Sequence, residues 1–236
     1  MNDPNTTRRD EIAAGLAEVE RRIAAACEAA GRARHEITLV AVTKTYPASD
    51  VRILAALGIG DVGENRDQEA AVKASECADL PLTWHFVGQI QTNKAKSVVS
   101  YADVVHSVDR PRLVEALARE AVRAGRQVTC LVQVALDDDP GRGGVVPDGL
   151  PALAELIAKS EGLVLGGVMA VAPLGGDADR AFARLWQLSS ALQVEHPNAR
   201  VISAGMSGDL RQAIAHGSTH LRVGTALLGC RKPFVR

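Results

Sequence analysis

Short apolar runs alternate with helical patterns along most of this chain, and this repetition limits its fold more than any other feature. Helical patterns with polar faces fill the intervals, and glycines follow several of them where helices commonly end. Strands that alternate with helices form a parallel sheet. The sequence therefore predicts an α/β protein with strands at 37–43, 61–64, 82–87, 104–108, 128–135, 163–171, 201–205 and 221–227.

The number and size of these units favour a closed barrel. Each unit takes about 25 residues, as in a (β/α)8 barrel of about 250 residues. A doubly wound open sheet is the alternative, but its glycine-rich dinucleotide turn is missing after the first strand, because residues 42–47 contain no glycine. We predict a single (β/α)8 TIM barrel domain over 1–236, with a leader helix at 7–31 and the barrel at 37–229.

The composition disfavours several classes of partner. The chain has 236 residues, 47% apolar and 23% charged, with a net charge of −1, as in ordinary globular proteins. No run of basic residues could follow a nucleic-acid backbone. The apolar runs reach about half of the roughly 20 residues that a membrane span needs. Since the N-terminus is polar, we expect no secretory leader and a cytoplasmic location.

The cysteines and carboxylates suggest neither a metal nor a catalytic pair. Cys27, Cys77, Cys130 and Cys230 are scattered and form no CxxC motif, so we expect free and mostly buried thiols. No His, Cys and Asp cluster has metal-ligand spacing, and we predict no metal. The acidic run at 137–139 lies among Pro and Gly and is interpreted as a solvated loop.

Lys44 ends the first predicted strand and is the strongest candidate for chemistry. Active sites of such barrels lie at the C-terminal ends of the strands. Val40 and Val42 share the face of Lys44, so its amine should point into an apolar barrel mouth. Desolvation would favour a neutral amine that attacks a carbonyl to form a Schiff base. The alternative is a lysine that extends past the strand to water.

The last two strand ends have the small residues typical of a phosphate site. Barrels commonly bind phosphate there, where backbone N–H groups can approach the anion closely. Gly205 and Gly208 would allow that approach, and the hydroxyls of Ser203, Ser207 and Thr225 would add donors. The alternative is an ordinary turn followed by a capped helix.

Two further polar residues should face the barrel interior. Arg222 shares its strand face with Gly224, and its buried guanidinium needs an acceptor from a ligand or a structural carboxylate. His85 lies between aromatic residues and is interpreted as a hydrogen-bonded core histidine. An imine-forming lysine opposite a phosphate cradle indicates a phosphorylated aldehyde or ketone. Pyridoxal 5'-phosphate (PLP) and the substrate of a Schiff-base aldolase both qualify.

Six stretches occur in order along the chain, at 42–45, 63–65, 84–88 with 91–94, 167–170, 205–209 and 222–225. Together they resemble the pyridoxal phosphate homeostasis protein family. The resemblance implies an alanine-racemase-like barrel that holds PLP as an aldimine on Lys44, with Arg222 beside the pyridine nitrogen. It implies phosphate binding by Ser207, Gly224 and Thr225. The positions that match pocket-lining residues of the family are Asn65 and Met206.

The family resemblance implies a carrier that buffers vitamin B6 and delivers it to apo-enzymes through transient contacts. A hydrogen bond from Arg222 would keep the pyridine neutral, which makes it a poor electron sink. No sequence for a second domain with an opposing base follows the last strand, so we expect a monomeric carrier without an established reaction. Relatives often have lysines where this chain has Tyr46 and Arg142. Neither residue forms an imine under ordinary conditions, so the sequence does not support a second site of aldehyde capture there.

Three alternatives remain at this point. A racemase-like enzyme would use Lys44 as its only base. A Schiff-base aldolase would need carboxylates around Lys44, and Glu64 is the nearest candidate. A pure interaction protein would dock partners through the leader helix.

Overall fold

Eight parallel strands close into a barrel in the computed structural model, which describes residues 4–137, 143–173 and 175–229. Neighbours in the barrel follow chain order, and the eighth strand pairs with the first. The strands are β1 Thr38–Val42, β2 Asp61–Glu64, β3 Thr83–Phe86, β4 Val104–Val108, β5 Val128–Gln133, β6 Leu163–Met169, β7 Val201–Ser203 and β8 His220–Val223. The predicted TIM barrel with an N-terminal leader helix is confirmed.

Helices surround the barrel, and the main hydrophobic core lies between them and the strands. They are α1 Pro4–Ala29, α2 Ala48–Ala56, α3 Asp67–Glu76, α4 Ala95–Tyr101, α5 Pro111–Ala124, α6 Leu150–Lys159, α7 Ala178–Glu195, α8 Leu210–Ala215 and α9 Thr225–Leu228. Helix α5 shows both expected end signals, because Pro111 opens it and Gly125 ends it with φ 62°. Within the described residues, no helix is long and apolar enough to cross a membrane.

All eight predicted strands are present, but the predicted end of the last one is wrong. We expected a strand through residue 227, whereas β8 ends at Val223 and residues 225–228 form α9. Leu227 and Leu228 are buried, so the helical turn continues the apolar run of the strand. Periodicity cannot separate a short buried helix from a strand. The consequence is that Thr225 begins a helix instead of continuing β8.

The leader helix α1 packs on the barrel at α8 and α9. Its apolar residues Ile12, Val19 and Ile23 are fully buried. Gly15 allows a close approach, because a Cβ there would lie 2.4 Å from the carbonyl oxygen of Leu227. The apolar face of this helix is therefore covered by the chain itself.

Some sequence predictions fall partly outside the described residues. Cys27, Cys77 and Cys130 are free and buried, as expected, whereas Cys230 lies outside the described residues. Arg142 and most of the acidic run, at 138–139, also lie outside them.

Candidate functional site

A cavity of about 580 Å³ opens at the C-terminal ends of the strands, a size typical of small-molecule sites. Val42, Val87, Met169 and Val171 make part of its wall apolar. Seven of the eight predicted site residues line it, namely Lys44, Asn65, Met206, Ser207, Arg222, Gly224 and Thr225. The closed barrel therefore brings together residues that are widely separated in the sequence.

Lys44 lies at the cavity with its side chain exposed. No acceptor in the described part of the chain lies within hydrogen-bond distance of its ammonium group, so the amine is free to meet a ligand. The predicted desolvation of this amine is not seen, because the side chain extends from the end of β1 into an open mouth. Its position at the mouth of the barrel agrees with the sequence prediction.

The turn after Lys44 is held in an unusual conformation. Thr45 has φ 68°, a value that is rare for a β-branched residue and costs about 1–3 kcal/mol. The N–H of Thr45 donates to Glu69 Oε2 at 3.1 Å, and the N–H of Tyr46 donates to the Thr43 carbonyl at 3.0 Å. The Tyr46 hydroxyl also donates to the carbonyl of Gly229. These contacts fix the backbone from which the Lys44 side chain extends.

A buried ion pair lies behind this turn, between the barrel wall and α3. Lys73 Nζ donates to the Thr43 carbonyl at 2.7 Å and to Glu64 Oε1, which also accepts the Thr43 hydroxyl at 2.5 Å. Glu64 is fully buried, and its Oε2 has no hydrogen-bond partner among the described residues. Burial raises the pKa of Glu64, and the nearby Lys73 opposes that shift. The pair holds the end of β1, and sequence analysis did not find Lys73.

The loops after β7 and β8 present donors to the cavity. Within the described residues, the backbone N–H groups of Ser207, Gly208, Gly224 and Thr225 have no acceptor. Gly205 has φ 93°, and a Cβ there would lie 2.6 Å from Ala213 Cβ, so only glycine suits this turn. Converging N–H groups of this kind favour an anion.

Three further contacts hold these loops in place. Asp209 accepts the Met206 N–H at 2.5 Å, and makes no side-chain cap on α8. From α1, Arg22 donates to the Ser207 carbonyl at 2.6 Å and Arg8 donates to the Leu228 carbonyl at 3.1 Å. The leader helix therefore supports both loops that carry the candidate anion donors.

Arg222 forms part of the cavity floor and is 6% exposed. Its Nη1 donates to Ser203 Oγ at 2.6 Å and its Nη2 donates to the Ala170 carbonyl at 2.9 Å. Burial lowers the pKa of Arg222 to about 10, and the charge of Asp209 opposes this shift. Both acceptors are neutral, so the structural carboxylate considered from the sequence is absent from its hydrogen bonds within the described residues.

Ser203 is the one predicted site residue that does not line the cavity. It is fully buried, and its hydroxyl is already bonded to Arg222. Its position beneath Arg222 does not support the expectation that it donates to a phosphate. The reach of the Arg222 side chain, which no pattern along the strand shows, decided the partner of Ser203.

Known proteins resemble this chain over most of its length. The model of the family described as "Alanine racemase, N-terminal domain" matches residues 16–232. The pyridoxal phosphate homeostasis protein of Mycobacterium tuberculosis is 45% identical, and the match covers 95% of each chain. This chain belongs to the pyridoxal phosphate homeostasis protein family. The resemblance drawn from the six stretches is thereby confirmed.

Solved structures of the same shape agree with this family membership. PipY of Synechococcus elongatus, a structure with PLP bound, is 37% identical with a TM-score of 0.81, covering 92% of this chain and 100% of PipY. The alanine racemase of Corynebacterium glutamicum is 14% identical with a TM-score of 0.69, covering 97% of this chain and 62% of the racemase. The second likeness shows a shared fold alone.

Proposed function

We propose that this protein binds PLP and holds it through an imine on Lys44, as a cytoplasmic, monomeric carrier that buffers the cofactor and delivers it to apo-enzymes by transient contact. One observation carries the proposal: a lysine amine without an acceptor and a set of anion donors open on the same cavity. The PLP bound to the relative PipY supports the same ligand.

The residues of the cavity fit the three reactive parts of PLP. The amine of Lys44 suits the aldehyde carbon. The free N–H groups around Ser207 and Gly224, with the hydroxyl of Thr225, suit a dianionic phosphate. The donors of Arg222 suit an unprotonated pyridine nitrogen, which would supply the buried guanidinium with a further acceptor.

The same residues favour holding the cofactor over catalysis. Arg222 keeps its proton near neutral pH, so a pyridine bonded to it stays neutral and withdraws few electrons. In the described part of the cavity wall, the titratable side chains are Lys44, Tyr46 and Arg222. A racemase-like reaction would have to use Lys44 as its base, since this part of the wall has no carboxylate or histidine and the hydroxyl of Tyr46 donates to the carbonyl of Gly229.

Substitution of the phosphate donors tests the binding geometry. Ser207→Ala and Thr225→Ala should each weaken PLP binding by roughly ten- to a hundredfold, because a hydrogen bond to a charged group contributes about 1.5–3 kcal/mol. Equilibrium dialysis measures the change. Ser75→Ala, at an exposed position on α3, is the matched control. Unchanged affinity in both site variants would place the phosphate elsewhere.

The rate of α-proton exchange in an amino acid distinguishes a carrier from a racemase-like enzyme. We expect the PLP-loaded protein, mixed with L-alanine in deuterated water, to exchange the α-proton far more slowly than ordinary turnover, because the described part of the cavity wall has no carboxylate or histidine to act as a second base. NMR follows the loss of the α-proton signal. Exchange at about 1 s⁻¹ or faster would be enzymatic and would refute the carrier function.

A further inference from the structure

A chain of hydrogen bonds runs through the barrel interior beneath Arg222. Arg222 Nη1 lies 2.6 Å from Ser203 Oγ, which lies 2.9 Å from His106 Nδ1. His106 Nε2 lies 2.9 Å from His85 Nδ1, and His85 Nε2 lies 2.9 Å from Asp61 Oδ1. The five residues come from β8, β7, β4, β3 and β2. We call this set the interior relay.

The interior relay crosses the barrel from one end to the other. Arg222 lines the cavity at the C-terminal ends of the strands, whereas Asp61 begins β2 at the opposite end. Ser203, His106 and His85 are buried, and the Asp61 side chain is 32% exposed. The relay therefore joins the cavity floor to the solvent at the far side of the barrel.

When both imidazoles are neutral, the two ends of the relay determine the direction of every bond in it. A guanidinium only donates, an ionised carboxylate only accepts, and a neutral imidazole does one of each. His85 must then donate from Nε2 to Asp61 and accept at Nδ1. His106 must donate from Nε2 to His85 and accept the Ser203 hydroxyl proton at Nδ1. The remaining lone pairs of Ser203 Oγ accept from Arg222.

A neutral His106 is consistent with its surroundings in the relay. Burial, with His85 and the charge of Arg222 nearby, holds the pKa of His106 well below its usual range. His220 packs beside His85 with ring centroids 6.1 Å apart, and burial lowers the pKa of His220 to about 4. Burial lowers the pKa of Arg222, whereas the carboxylate of Asp209, on the cavity side, raises it and so favours the charged form.

We propose that Ser203, His106 and His85 are positioning residues for the cofactor, which orient Arg222 through aligned hydrogen bonds ending at the Asp61 carboxylate. The inference rests on the proposed binding of PLP. Among the described residues Arg222 bonds to no carboxylate, so the aligned dipoles supply the negative end that a buried cation needs. With Nη1 bonded to Ser203 and Nη2 bonded to the Ala170 carbonyl, the guanidinium is fixed at the cavity, which Arg222 lines.

The tautomers of the two histidines test the relay without any cofactor. In the PLP-free protein near pH 7.5, long-range ¹H–¹⁵N spectra should show both His85 and His106 protonated at Nε2 alone. His85→Asn and His106→Asn assign the signals. Protonation at Nδ1 in either ring, or an average of the two tautomers, would refute the directed relay.

The affinity for PLP tests the positioning. Ser203→Ala and Asp61→Asn should each weaken PLP binding by roughly two- to tenfold in a protein that stays folded, because a guanidinium that is held less firmly loses part of one charge-assisted hydrogen bond to the cofactor. Asp148→Asn, at an exposed position, is the matched control and should bind as wild type does. Wild-type affinity in both relay variants would refute the positioning role. A wild-type protein that does not bind PLP would instead refute the proposed function, and the tautomers would still decide the relay.

Discussion

Borohydride reduction of the PLP-loaded protein should place the pyridoxyl group on the peptide that contains Lys44. Reduction converts an imine into a stable secondary amine, so mass spectrometry of the digest identifies the attacked lysine. Lys44 lines the cavity and has no acceptor in the described part of the chain. In contrast, Lys73 and Lys159 each bond to a carboxylate. We expect near-complete labelling of Lys44 and negligible labelling of both paired lysines.

Variants of the same lysine sharpen this test. Lys44→Arg keeps a positive charge at the cavity but forms no imine under ordinary conditions, so the reduced adduct should be lost. Lys96→Ala, at an exposed position on α4, is the control and should label as the wild type does. Labelling confined to Lys94, Lys96 or Lys232 would show that the imine forms outside the cavity.

Replacement of Lys73 by Met should lower the free energy of unfolding by about 3–5 kcal/mol at pH 7. The substitution keeps much of the side-chain volume but leaves the buried carboxylate of Glu64 without its cation, which is the costly way to break a buried ion pair. The side chain of Lys73 is 6% exposed and that of Glu64 is fully buried. Urea denaturation measures the change.

A control and a double variant separate charge from packing. Lys159→Met removes a pair with Glu155 whose side chains are 74% and 46% exposed, and should have little effect. Adding Glu64→Gln to Lys73→Met should recover part of the lost stability, because no unpaired charge is then buried. A Lys73→Met protein as stable as the wild type would mean that the pair does not hold the end of β1.

The pH dependence of the Lys73→Met variant follows from the raised pKa of Glu64. A carboxyl whose pKa is higher in the folded than in the unfolded protein binds more protons when folded. Stability then falls as the pH rises from the ordinary glutamate pKa of about 4.3 through the raised folded value. The variant should therefore be more stable at pH 5 than at pH 7, relative to wild type.

Two alternative functions lose support from the positions of particular side chains. An aldolase acting through Lys44 would need a carboxylate in the cavity, whereas Glu64 lies behind the barrel wall and bonds to Lys73. A protein that docks partners through the apolar face of its leader helix would need that face exposed. Ile12 and Ile23 of α1 are fully buried against the rest of the chain.

The sequence by itself determined the barrel and most of the cavity residues. Both depend on short-range patterns, because alternation along a strand decides which side chains face inward and the repeated strand–helix unit decides that the strands are parallel. Once the strands are parallel, their C-terminal ends must meet. Lys44 and Ser207 could therefore be placed at one site from their positions at strand ends, and Arg222 could be placed in the barrel interior from the alternation along its strand.

Only the tertiary structure decided what lies next to those residues. Lys73 reaches the carbonyl of Thr43 from a helix outside the barrel, and His106 reaches Ser203 across its interior. These contacts depend on side-chain reach between elements that no local pattern relates. The end of β8 was misjudged for a similar reason, since buried apolar residues look alike in a strand and in the short helix α9. Hydrogen bonds between distant elements form only after the barrel closes, so they leave no periodic signal in the sequence.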